Sequence, residues 1–82
     1  MKIELYHLQE CSFSSKVRRY ITEKKLNSFI EYHDVQNENN SRKLEDLTGD
    51  EQVPCLVVDG NPILESEEII KWLDQNLIKK AA

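Results

Sequence analysis

The segment around Cys11 constrains the fold of this 82-residue chain most strongly, because the hydrophobic pattern changes its period there. Residues 2–8 alternate between two faces, as in a β-strand. From Ser12 the spacing is that of an amphipathic helix, with its inner face at Phe13, Val17, Tyr20, Ile21 and Lys24. A cysteine at such a junction lies near the unpaired N–H groups and the positive dipole end of the helix, which favour the thiolate. The segment therefore predicts sulfur chemistry.

The middle of the chain predicts a strand, a loop and a short helix. The first helix is expected to end near residue 25 or 26, and residues 29–35 are β-branched and aromatic, which favours a second strand. Residues 36–40 are polar turn formers, so we expect a surface loop. Ser41 is a suitable N-cap for the next helix, which ends at Gly49, a residue suited to the left-handed conformation.

The last third of the chain predicts a hairpin and a final helix. Residues 55–58 and 61–64 are strand-like runs around Asp59-Gly60, a typical tight turn. Ser66 opens the last helix, which closes at residues 79–80 with charges that suit the helix dipole. The element order is β-α-β-α-β-β-α, in which the first βαβ unit should be parallel and right-handed.

Composition narrows the class of protein. With 82 residues and 39% hydrophobic content, the chain suits one compact domain over residues 1–82. The net charge of −4 gives no field that would gather nucleic acid or anionic lipid, so neither is expected as a partner. The first residues lack the apolar stretch of a signal peptide, and no segment approaches a bilayer span. We expect a cytoplasmic monomer.

The cysteines and histidines do not form a metal-binding pattern in the sequence. Cys11 and Cys55 lie too far apart for the paired knuckles of a zinc site and are too few for a disulfide scaffold, so both should be free thiols. Neither His7 nor His33 has another ligand type at helical spacing. We therefore interpret both as ordinary strand residues and expect no metal.

The chain contains three motifs in order, which are Cys11-x-x-Ser14, Val53-Pro54 and Glu65-Ser66. Together they resemble glutaredoxins and equally the thioredoxin-like N-terminal domain of glutathione S-transferases. Residues 11–18 are similar to the glutaredoxin run Cys-Pro-Tyr-Cys-x-Lys-Val, and Gln52-Val53-Pro54 is similar to Thr-Val-Pro. Glu65-Ser66 matches the transferase version better. The resemblance covers nearly the whole chain. It implies an α/β, thioredoxin-like (glutaredoxin) fold, in which a four-stranded mixed sheet is flanked by three helices.

The resemblance also implies a glutathione site. In both families the proline that matches Pro54 is cis, and the backbone of the residue before it, here Val53, pairs with the cysteinyl part of glutathione. Glu65 and Ser66 match the pair that receives the γ-glutamyl group, although Ser66 is also an ordinary N-cap candidate. Phe13 and Lys16 complete the expected glutathione-binding set.

Departures from the family pattern restrict the mechanism. Ser12 replaces the usual proline, and Ser14 replaces the second cysteine, which closes a dithiol mechanism. Leu8 stands where many glutaredoxins have a lysine that binds a glutathione carboxylate. Lys16 is one candidate substitute, and Arg42 and Lys43 are the others.

These features predict a monothiol oxidoreductase with glutathione as co-substrate. Cys11 would attack glutathionylated proteins or small mixed disulfides, and Ser14 would donate its hydroxyl to the sulfur. Cys55 is interpreted as a small core residue, with a resolving thiol as the alternative.

Three other functions remain open from the sequence. One is glutathione conjugation, although transferases build the second substrate site against a helical domain beyond this one. Another is an iron-sulfur cluster carrier, because Cys11-Ser12-Phe13-Ser14 is similar to the Cys-Gly-Phe-Ser of monothiol glutaredoxins. The third is a non-catalytic adaptor that uses the same groove.

Overall fold

The computed structural model describes residues 1–78, which form a four-stranded mixed sheet with helices on both faces. The strands are β1 (Ile3–His7), β2 (Glu31–Asp34), β3 (Cys55–Val58) and β4 (Asn61–Leu64). Their order is β2-β1-β3-β4, with β1 parallel to β2 and antiparallel to β3, and β3 antiparallel to β4. The helices are α1 (Ser12–Glu23), α2 (Glu38–Thr48) and α3 (Ser66–Leu73), and α3 continues as a π-helical turn, Asp74–Ile78.

This topology confirms the predicted thioredoxin-like fold. The alternation in β1 places Ile3 and Leu5 on the face covered by α1 and α3, and Tyr6 on the opposite face with Leu44 of α2. The expected closure of the last helix at residues 79–80 lies outside the described residues. No helix within residues 1–78 is long and apolar enough to cross a membrane.

The first helix and second strand are shorter than the pattern predicts. Helix α1 ends at Glu23 with Lys24 as its C-cap, and Phe13 is 62% exposed, so Val17 and Ile21 provide the buried face. Asn27–Phe29 forms a 3₁₀ turn that leaves the Phe29 ring exposed. The predicted strand therefore began too early, at the aromatic Phe29, whereas β2 begins at Glu31.

The predicted loop over residues 36–40 and the Ser41 cap are wrong. Helix α2 already begins at Glu38, and the Asn37 side chain caps it by accepting a 2.9 Å hydrogen bond from the Asn39 N–H. Ser41 lies inside the helix, where its hydroxyl donates to Glu51. The N-cap of α2 is thus Asn37, which lies within the polar run itself. The predicted end is confirmed, because Gly49 follows α2 with φ of 79°.

The predicted hairpin is confirmed with the same strand bounds. Asp59 and Gly60 connect β3 to β4 with φ of 48° and 86°, the positive values that a two-residue hairpin turn requires. Pro62 lies on β4, an edge strand, where its missing N–H costs no interior ladder bond.

Candidate active site

Three element ends meet at one edge of the sheet. Strand β1 ends at His7 and leads to Cys11, the N-cap of α1. Strand β3 is antiparallel to β1, so its first residue, Cys55, and the preceding Pro54 lie at the same edge. Strand β4 returns to this edge, where it passes into Glu65 and α3. The topology therefore assembles the three motifs of the sequence in one place.

The Cys11 sulfur lies in an environment that favours its ionised form. Partial burial by itself raises the pKa of the thiol, but hydrogen bonds from the Ser14 N–H, the Ser14 hydroxyl and the Phe13 N–H outweigh it. The positive charge of Arg18 acts in the same direction, and the net result is a lowered pKa. Cys11 remains partly accessible to solvent. The site can thus present a thiolate to a substrate.

Ser14 is fully buried and connects the sulfur to the loop before it. Its hydroxyl donates toward Cys11 and accepts a 3.3 Å hydrogen bond from the Leu8 N–H. This hydroxyl also occupies the place where a second thiol would close a disulfide in the motif. Both cysteines of the chain are free thiols, as predicted.

The Val53-Pro54 peptide is cis, as expected, and it faces Cys11. The Cys11 Sγ lies 4.0 Å from the Val53 carbonyl oxygen. Val53 precedes β3, outside the register that pairs β3 with β1 and β4, so its backbone is not part of the ladder. Beside it is a cavity of about 260 Å³, lined by Phe13, Gln52, Val53, Pro54, Glu65 and Ser66. Two larger depressions on the described part of the chain contain none of these residues.

Glu65 and Ser66 form the far wall of this cavity. Glu65 is the N-cap of α3 and has φ of 71°, a conformation that residues other than glycine seldom adopt. Its side chain does not cap the helix. Ser66 is the first helical residue, so it is not the N-cap that the alternative interpretation supposed. Within residues 1–78 its hydroxyl makes no side-chain hydrogen bond, which leaves it available to a ligand.

The candidate basic residues do not line the cavity. Lys16 lies on the exposed side of α1 and pairs with Glu67 of α3 at 2.6 Å. Arg42 pairs with Glu38 within α2 at 3.5 Å, and Lys43 is exposed on the same helix. In the described structure, none of these three residues replaces the lysine that many glutaredoxins have at the position of Leu8. The lining of the cavity contains no cationic side chain.

Cys55 lies in the core. It is fully buried with Tyr6, Leu44 and Val57 on the α2 face of the sheet, and burial raises its pKa to about 11. This environment supports the interpretation of Cys55 as a small core residue and argues against a role as a reactive resolving thiol.

Arg18 of α1 is a residue of the candidate site that the sequence did not predict. The guanidinium turns toward β1, where it contacts the His7 Nδ1 at 3.1 Å and donates to the Leu8 and Gln9 carbonyls. The spacing from Cys11 to Arg18, two turns of helix, was the available signal.

His33 also has neighbours that its position in the sequence did not indicate. Its Nε2 lies 3.1 Å from Glu4 and 3.9 Å from Glu31, because the parallel register pairs Glu4 directly with Glu31. One imidazole and two carboxylates are a donor set that zinc accepts. However, Lys2 also contacts Glu4, at 3.8 Å, so this carboxylate already has a cationic neighbour.

Comparisons with solved structures agree with this fold. A diazinon-metabolizing glutathione S-transferase from the silkworm Bombyx mori matches with a TM-score of 0.77 and 17% identity, over 98% of this chain and 40% of its own. A glutathione S-transferase from Drosophila melanogaster matches at 0.66 and 29%, over 95% and 36%. Oxidized glutaredoxin 2 from Chlamydomonas reinhardtii matches at 0.68 and 16%, over 96% and 77%.

The chain thus spans well under half the length of these two transferases. A search of the curated proteins finds no match. The family model for the glutathione S-transferase N-terminal domain matches residues 5–78, which is nearly the whole chain. This chain belongs to the family of glutathione S-transferase N-terminal domains.

Proposed function

We propose that this chain is a glutathione-dependent thiol-disulfide oxidoreductase, which removes glutathione from mixed disulfides through Cys11. One observation carries the proposal: a Cys11 sulfur with a lowered pKa lies 4.0 Å from the Val53 carbonyl, beside a cavity that ends at Ser66. Nucleophile and ligand groove belong to the same chain.

The groove suits an extended peptide-like ligand. The Val53 backbone would pair with the cysteinyl part of glutathione, as in strand addition. The Ser66 hydroxyl and the first N–H groups of α3 would receive the γ-glutamyl carboxylate, while Glu65 would hold its ammonium group. The exposed Phe13 ring would cover the ligand from the α1 side. Lys16 would contribute only if it exchanged Glu67 for a glutathione carboxylate.

The reaction runs through a single protein thiol. The Cys11 thiolate attacks the glutathionyl sulfur of the mixed disulfide, the substrate leaves as a thiolate and takes up a proton, and glutathione remains bound to Cys11 through a disulfide. A second glutathione thiolate attacks this disulfide, which releases oxidised glutathione and regenerates the Cys11 thiolate. The substrate disulfide is reduced, and two glutathione sulfurs are joined. Ser14 cannot form an internal disulfide, so the second glutathione must complete the cycle.

Turnover of a glutathionylated peptide with free glutathione tests the proposal. Cys11→Ser should abolish turnover, whereas Cys55→Ser should retain it, because Cys55 is fully buried and has a pKa of about 11. Turnover that persists in Cys11→Ser would contradict the proposal. Turnover lost in both variants, with Cys55→Ser folded, would point to a dithiol pair instead.

Glutathione conjugation is a second candidate, which the family match over residues 5–78 favours. Both activities would use the same glutathione groove, but conjugation makes the bound glutathione, rather than Cys11, the nucleophile. A conjugation assay with an aryl halide distinguishes them. Conjugation that survives Cys11→Ser, in a protein that does not reduce mixed disulfides, would establish the transferase.

A further inference from the structure

Arg18 holds the loop that carries the candidate nucleophile. Its guanidinium donates to the Leu8 carbonyl at 3.1 Å and to the Gln9 carbonyl at 3.3 Å. It also contacts the His7 Nδ1 at 3.1 Å. The planar fork of arginine suits three acceptors that lie side by side, whereas the single ammonium of lysine does not.

These contacts continue directly to Cys11. The Leu8 carbonyl that accepts from Arg18 also accepts from the Cys11 N–H at 3.1 Å. The Leu8 N–H in turn donates to Ser14, whose hydroxyl donates to the sulfur. Arg18 is therefore connected to Cys11 through the Leu8 carbonyl, which accepts from both residues. It does not line the glutathione groove.

The protonation state of His7 follows from its contact with Arg18. Arginine has donors only, so the His7 Nδ1 must accept, which requires the neutral imidazole with its proton on Nε2. Burial, and then the charge of Arg18, lower the pKa of His7, so the neutral form is favoured at neutral pH. His7 is 5% exposed, and its Nδ1, at the end of β1, is a fixed acceptor for Arg18.

We propose that Arg18 is a positioning residue for Cys11: it holds the loop from Leu8 to Cys11 and keeps a fixed positive charge close enough to stabilise the thiolate. This inference rests on the proposed function, because it assumes that Cys11 is the nucleophile. Arg18 itself does not contact the substrate in this scheme. Its effect passes through the position and the ionisation of the sulfur.

The charged and titratable groups around this unit come from three elements. His7 of β1 contacts Arg18. The charge of Arg18 also acts on Tyr32 of β2 and on Cys11 at the start of α1. Asp34 of β2 acts on His7 and partly offsets the effect of Arg18 there. His33 acts weakly on His7 in the same direction as Arg18.

The test is the pH dependence of Cys11 alkylation by iodoacetamide, followed by mass spectrometry at that residue. Arg18→Gln should move the profile to higher pH, so that below the wild-type midpoint the rate falls about threefold to tenfold. Arg18→Lys should give a profile nearer to the wild type, because the charge remains, but a lower kcat for a glutathionylated peptide, because the fork is lost. Arg19→Gln is the matched control, with an exposed side chain one residue along the helix.

The outcomes separate this inference from the proposed function. If Arg18→Gln and Arg19→Gln give the same alkylation profile, the positioning role is wrong, and the function of Cys11 stands. If wild-type Cys11 titrates like an ordinary thiol and does not turn over, the proposed function itself fails. Should Arg18→Gln not fold, Arg18→Lys decides: wild-type kcat in that variant would overturn the positioning role.

Discussion

At the residue scale, the two cysteines show how position decides reactivity. Cys11 loses some solvation, which disfavours its charge, but two N–H donors, one hydroxyl and a nearby arginine compensate. Cys55 is fully buried with a single N–H donor, from Ile63, and its pKa rises to about 11. At neutral pH only Cys11 therefore offers an appreciable thiolate fraction.

Ser14→Ala tests the hydroxyl that serves the sulfur. The variant removes a donor to Cys11 and leaves the Leu8 N–H without its acceptor, so we expect slower alkylation of Cys11 at acidic pH. We also expect a loss of about 1–3 kcal/mol in the free energy of unfolding, measured in urea. Ser12→Ala, at an exposed position on the same turn, is the control and should change neither. Equal alkylation profiles in the two variants would show that the hydroxyl does not act on the sulfur.

The sequence predicted Cys11 as the candidate nucleophile and Ser14 as a donor to its sulfur, but not the contribution of Arg18. Cys11 could be predicted because a strand-to-helix junction is a local pattern. For Arg18 the spacing from Cys11 indicates only the side of the helix, because its contacts with His7 and Leu8 depend on how α1 packs on the sheet. The proximity of Glu4 and His33 likewise depends on the register between two strands that are separated by a helix.

At the scale of elements, local chemistry decided the hairpin but left the start of α2 ambiguous. Asp59-Gly60 suits one type of turn only, so the bounds of β3 and β4 followed from the sequence. Asn37 and Ser41 are both good caps, and propensity alone does not choose between them. The structure chooses Asn37, which adds a turn to the helix.

Asn37→Ala tests this assignment. Because its side chain caps α2, we expect the variant to lower the free energy of unfolding by about 1 kcal/mol. Ser41→Ala should cost less, because it removes only an exposed hydrogen bond to Glu51. Chemical denaturation of both variants measures the difference. A greater loss in Ser41→Ala would return the helix start to the position that the sequence suggested.

At the scale of the whole molecule, the mixed sheet creates the site by bringing three element ends to one edge. The antiparallel β3 and β4 place Pro54 and Glu65 beside the end of the parallel-paired β1. The same packing buries His7 in contact with the Arg18 guanidinium. Element order and topology could be predicted because each element has a clear period. Which side chains meet required the packed structure.

The buried His7 predicts a pH dependence of stability. Burial, followed by the charge of Arg18, lowers its pKa from the ordinary 6.5, so below that pH the unfolded chain binds more protons than the folded one. The free energy of unfolding should therefore fall as the pH drops through 6.5 toward the pKa of the folded state. Urea unfolding at several pH values measures this slope. His7→Gln should flatten it, so an unchanged slope in that variant would contradict the prediction.

The most direct measurement is mass spectrometry of the intact protein and its peptides after incubation with oxidised glutathione. The thiolate at the start of α1 predicts one glutathione adduct, located on Cys11, with Cys55 unmodified because it is fully buried. A protein that acquires no adduct, or that carries it on Cys55 alone, would contradict the central claim that Cys11 is the nucleophile.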